Sequence, residues 1–73
     1  MNYISLLQLK PGKPGTIQQI QAGGYASKRL YEMGLYPGAK ITVVKNDIGP
    51  LVLSYAGNRM ALGRGLAQKI FVA

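Results

Sequence analysis

Glycine and proline punctuate this sequence so closely that a long helix has nowhere to form. Lys10-Pro11-Gly12 and Lys13-Pro14-Gly15 are successive turn signals; Gly23-Gly24, Pro37-Gly38, Gly49-Pro50, Gly57-Asn58 and Gly63-Arg64-Gly65 follow. Turns every ~8–12 residues favour a sandwich or barrel of short strands over βαβ units, whose crossover helices would not fit.

One segment does read as a helix. From about residue 25 to 33, Ala26, Leu30 and Met33 share a face, with Arg29 on its border. With Met33 as the last helical residue, Gly34 falls where a left-handed backbone is wanted, which glycine adopts without steric cost. Leu35 can then fold back onto Leu30 in a Schellman motif, and Pro37 blocks any resumption of the helix. Pro37-Gly38 fits a type II turn. This helix is shorter than the ~12–15 residues that hold alone, and Glu32 sits in its last turn against the macrodipole. A sheet must therefore hold its apolar face.

The strands follow from alternation. Ser5-Leu6-Leu7-Gln8-Leu9 reads as a first strand that bends sharply at the two Pro-Gly turns. In residues 16–22, Ile17 and Ile20 have the wrong parity for one face, which predicts a bulge or a crossing between two faces. Residues 39–45 carry the clearest alternation, with Ile41 and Val43 on the buried side. Residues 46–50 are a loop, 51–55 a strand, and Gly57-Asn58 fits a type II′ hairpin into residues 59–62. Residues 66–68 allow one helical turn before a last strand at 69–72. The expected architecture is mainly β: one domain over residues 1–73, a small, partly open barrel of about five strands, one end plugged by the short helix.

A core of 73 residues is marginal, and with no cysteine or histidine neither a disulfide nor zinc can staple it. The same absence removes an imidazole base and a thiolate nucleophile. Glu32 and Asp47 are the only acids, which could at most hold a weak hard ion with backbone carbonyls, against the reading of two ordinary surface acids. No Walker lysine follows Gly23-Gly24 and no G-x-G-x-x-G occurs. We therefore expect no catalytic residues, no enzyme activity, no metal site and no cofactor. Met1-Asn2-Tyr3-Ile4-Ser5 has neither a positive n-region nor a long apolar run, and nothing approaches the ~20 apolar residues of a membrane span. The expected location is the cytoplasm.

The net charge of +7 favours an acidic partner, whether nucleic acid, an anionic membrane surface or a protein face, or simply a solvated surface. Lys28, Arg29, Arg59, Arg64 and Lys69, with Tyr25, Tyr31, Tyr36 and Tyr55, could form a basic face with stacking rings, as nucleic-acid-binding small barrels do. Alternatively the tyrosine rings bury at the barrel rim while the charges solvate. No RNP-type motif supports nucleic acid. Val44 and Ile48 are candidates for exposed apolar contacts. Exposed barrel edges leave a homo-oligomer open.

Leu6 to Gly12 (LLQLKPG), Gly15-Thr16-Ile17, Arg29-Leu30, Met33-Gly34-Leu35, Pro37-Gly38, Ile41-Thr42-Val43, Gly49-Pro50, Ala61-Leu62-Gly63 and Ala67 with Ile70 and Val72 together resemble the FeoA family. The resemblance spans nearly the whole chain, and Met-Gly-Leu followed by Pro-Gly is its most specific piece. It implies an SH3-like barrel, also found at the C-terminus of some iron-dependent repressors. It further implies a cytoplasmic accessory of FeoB, the ferrous iron transporter with a cytosolic GTPase domain, held at the inner face of the membrane by that partner and regulating it. The partner-binding residues expected are Tyr25, Lys28, Arg29, Glu32 and Tyr36. Leu30, Met33, Gly34, Leu35, Pro37 and Gly38 form the structural signature beneath them.

Overall fold

The computed structural model describes residues 3–73. The reading of Met1 and Asn2 as the head of a chain without a signal peptide lies outside the described residues. Among the described residues six strands form one antiparallel sheet: β1 (Ile4–Ser5), β2 (Pro14–Ile20), β3 (Lys40–Lys45), β4 (Leu51–Tyr55), β5 (Asn58–Leu62) and β6 (Ile70–Val72). Their order is β1-β6-β2-β3-β4-β5, so β1 and β5 are the edges. Helix α1 (Gly24–Glu32) lies between β2 and β3, and a single turn, α2 (Arg64–Ala67), lies between β5 and β6.

The expected first strand at residues 5–9 is corrected by the structure. Only Ile4–Ser5 is extended; Leu6–Gln8 is a 3-10 turn. Ser5 accepts a hydrogen bond from the Leu7 N–H at 3.3 Å, and the Gln8 side chain accepts one from the Ser5 N–H at 3.1 Å. This capping box replaces ladder bonds. In a 3-10 turn, residues three apart eclipse, so Leu6 and Leu9 face one side and both reach the core. A strand would have sent them to opposite faces.

Strand β2 links the two halves of the sheet. Its start pairs with β3 (Gly15 opposite Ile41) and its end with β6 (Ile20 opposite Ile70). The register against β6 shifts between Ile17 and Gln19, the bulge that the parity of Ile17 and Ile20 predicts. Gly15, near the start of β2, is buried: a β-carbon there would lie 3.0 Å from Leu9 Cδ2 and 3.3 Å from Val72 Cβ.

The core gathers Leu6, Ile17, Leu30, Leu35, Ile41, Val43, Leu51, Leu53, Ile70 and Val72, all essentially inaccessible. No polar or charged side chain is buried among the described residues. Val44, an expected exposed residue, is half-buried where β3 shifts register against β4, whereas Ile48 is 88% exposed.

The second correction is the β4–β5 hairpin. Tyr55 pairs with Asn58, so the turn residues are Ala56-Gly57 rather than Gly57-Asn58. Both have positive φ, 53° and 83°, which is a type I′ turn and not type II′. Strand twist favours a primed turn, and with Ala56 instead of glycine at its first position the type II′ form is disfavoured, so Ala56 is held left-handed although it carries a β-carbon.

Candidate functional site

Helix α1 has no side-chain cap at its start, where Gly23 is the N-cap; the Ser27 hydroxyl instead donates to the Ala22 carbonyl at 3.1 Å. Its far end is closed tightly. The Leu35 N–H donates to the Leu30 carbonyl at 2.8 Å and the Gly34 N–H to the Tyr31 carbonyl at 3.0 Å. Those two bonds, with Gly34 at φ +90°, define a Schellman motif. The helix spans residues 24–32 with Met33 as its cap, one residue earlier at each end than the periodicity predicts. Across residues 36–39, the Ala39 N–H donates to the Tyr36 carbonyl at 3.0 Å with Gly38 at φ +97°, a type II turn around Pro37.

Leu30 drives into the core, and Met33 packs against its border. The opposite face is left to solvent. Tyr25, Lys28, Arg29, Glu32 and Met33 surround one shallow hollow of about 280 Å³. Four of these are residues singled out from the sequence, spaced at helical i, i+3, i+4 and i+7.

The fifth, Tyr36, is placed elsewhere. It lies past the cap, its ring centroid 5.8 Å from that of Tyr31 with the planes tilted by 38°, and its hydroxyl 3.3 Å from that of Tyr55. The Tyr36 hydroxyl beside it raises the pKa of Tyr55 above the ordinary phenol value, first through the hydrogen bond and then through charge repulsion. Tyr31, Tyr36 and Tyr55 thus form an aromatic ledge around Gly34. Tyr25 stands apart from these ring contacts and is 77% exposed.

The proposed basic face divides. Lys28 and Arg29 lie on α1, but the Arg64 guanidinium donates to the carbonyls of Asp47 at 3.0 Å and Gly49 at 3.4 Å. Arg64 thereby braces the β3–β4 loop, a role its Gly-Arg-Gly context does not signal. Sequence reasoning also missed Asn46. Its side-chain amide donates to the carbonyls of Leu7 at 2.8 Å and Leu9 at 2.9 Å, tying that loop to the 3-10 turn. Of the acids, Glu32 lies on α1, while Asp47 lies in the loop 3.8 Å from Lys45. No group of three or more potential metal ligands occurs among the described residues.

A small antiparallel barrel with one short helix, whose outer face carries cations and rings, belongs to the class of SH3-like domains. The FeoA domain model matches residues 4–73. The chain is 43% identical over 63 residues to "Putative Fe(2+) transport protein A" of Methanocaldococcus jannaschii, covering 86% of this chain and 77% of the relative. It superposes on the crystal structure of an iron uptake regulatory protein (FeoA) with a TM-score of 0.90 and 37% identity, over 100% of this chain and 97% of that one. A manganese-dependent transcriptional repressor shares the fold alone, with a TM-score of 0.88 at 20% identity over 97% of this chain and 41% of that one. The chain belongs to the FeoA family.

Proposed function

We propose that this protein is a cytoplasmic accessory of ferrous iron uptake that binds the cytosolic side of a FeoB-like, GTPase-coupled transporter and regulates it through protein contact. The family and the Fe(2+) transport name of its relative support the iron-uptake role. The observation that carries the contact surface is the α1 hollow, where Tyr25, Lys28, Arg29 and Glu32 stand exposed around Met33 on a helix anchored by Leu30. Aromatic and arginine side chains on a rigid element are the usual anchors of protein interfaces. The chain has no imidazole or thiol with which to carry ferrous iron itself, so its action is regulatory or structural. No helix of the described residues is long and apolar enough to cross a membrane, and attachment at its inner face would come through the partner.

An NMR titration of the labelled protein with the matching FeoB cytosolic domain, at physiological salt with and without nucleotide, tests this. Shifts confined to residues 25–36 support the surface; shifts elsewhere keep the partner and discard the site. Affinity for DNA with a steep inverse dependence on salt, and none for the transporter domain, would favour the nucleic-acid alternative instead.

A further inference from the structure

The β5 edge offers a second surface, independent of α1. The two edges of the sheet differ. β1 has only two residues, and the Ser5 hydroxyl beside it is engaged with the Gln68 carbonyl. β5 has five residues, no proline and no bulge against β4. In a hairpin closed by a two-residue turn, the pair flanking the turn exchanges both backbone hydrogen bonds and the pairing then alternates. Tyr55–Asn58, Leu53–Met60 and Leu51–Leu62 are therefore the bonded pairs, and Asn58, Met60 and Leu62 turn their N–H and C=O groups towards β4. Arg59 and Ala61 turn theirs outward, off the sheet, and both residues are exposed.

We propose that this edge accepts an extended, acidic segment of a partner protein as a further antiparallel strand. Backbone groups of Arg59 and Ala61 supply the ladder, in the manner of β-strand addition. The side chain of Ala61 lies opposite Val52 and leaves room for a β-branched residue of the incoming strand. The side chain of Arg59, in no ion pair among the described residues, meets a carboxylate beside that residue. Charge decides the occupant. The chain carries nine basic and two acidic residues, so a second copy would bring like charge to the same edge, whereas an acidic strand is attracted. Arg59 on the edge acts as the guard against self-pairing that natural sheets use.

The test uses the full, isotope-labelled protein and a short acetylated, amidated peptide in which glutamate and valine alternate along one face of the strand, two residues apart with threonine between them, and its lysine-for-glutamate counterpart as control. Expected are shifts and slowed hydrogen exchange at the amides of Arg59 and Ala61, and binding at least about tenfold weaker for the lysine peptide. Ala61→Pro removes one outward donor without disturbing a bond to β4, a position where proline is tolerated in a sheet. It should weaken the glutamate peptide about tenfold or more, as should Arg59→Glu, which leaves the backbone intact if the proline variant fails to fold. Unchanged exchange at Arg59 and Ala61, equal binding of both peptides, or shifts there that grow with protein concentration and ignore the peptide would each overturn the proposal.

Discussion

The ring of Tyr55 occupies the space that a side chain on Gly34 would need: a β-carbon built there lies 2.8 Å from Cε2 of Tyr55. Gly34 is thus constrained twice, by a backbone at φ +90° and by an aromatic neighbour from another element. The cap of α1 and the end of β4 are joined at this point, which fixes how the helix face is presented.

Gly34→Ala should cost about 2–4 kcal/mol, combining the left-handed penalty of roughly 1–2 kcal/mol with displacement of the ring. Gly34→Val should cost more, because a β-branched residue is strained further at positive φ. Urea unfolding measures both. In a Tyr55→Ala background the ring's share disappears while the backbone share remains. A loss below about 0.5 kcal/mol for Gly34→Ala would refute the double constraint.

Ala56→Asn should raise stability by about 1 kcal/mol. Ala56 holds φ 53° in an exposed type I′ turn, and Asn-Gly is the pair such turns prefer. Thermal unfolding would show an upward shift in midpoint; a decrease would mean that the turn is not type I′ in solution.

Removing the Asn46 amide takes both hydrogen bonds from the carbonyls of Leu7 and Leu9. For Asn46→Ala, the loss of two partly buried bonds between distant segments predicts a destabilisation of about 1–3 kcal/mol. Amide exchange should rise first in the 3-10 turn and the β3–β4 loop, and uniform acceleration across the domain would argue against this local tie.

The Tyr36–Tyr55 hydroxyl pair makes a pH prediction. The folded state raises the pKa of Tyr55, so it favours the neutral phenol. Below the unfolded value of about 10 that contribution is fully present, and it is lost as pH rises through the folded value. Titrating Tyr55 by NMR should give an apparent pKa above the ordinary phenol value, and Tyr36→Phe should bring it back towards that value. An identical titration in the variant would remove Tyr36 as the cause.

Charge reversal at Lys28 and Arg29 separates binding from folding. Both side chains are exposed on α1, so Lys28→Glu with Arg29→Glu should shift stability by no more than about 1 kcal/mol. Binding to the cytosolic domain of a FeoB-like transporter should fall about tenfold or more, read by titration calorimetry. Full affinity in the double variant would move the contact away from α1.

Local chemistry made much of this legible beforehand. Gly34, Leu35 and the Pro37-Gly38 pair announce a helix stop because capping and turn geometry depend on a few adjacent residues. The alternation of Ile41 and Val43 announces a half-buried strand, and the mismatched parity of Ile17 and Ile20 announces a bulge. The spacing of Ala26, Leu30 and Met33 likewise places them on one helix face, with Arg29 on its border, before any coordinates are known.

The sequence by itself determined the punctuation, the helix with its cap, the strand faces and the lack of imidazole and thiol chemistry, because these depend on residue identity and near neighbours. Tertiary structure alone decided that Leu6–Gln8 is a 3-10 turn and that the hairpin turns on Ala56 rather than Asn58, since packing and strand twist choose between locally similar conformations. It alone brought Asn46 to Leu7 and Leu9, Arg64 to the 47–49 carbonyls, and Tyr55 onto Gly34. Those contacts join residues far apart in the chain, so no local pattern encodes them; they exist only once the core has placed the elements that carry them.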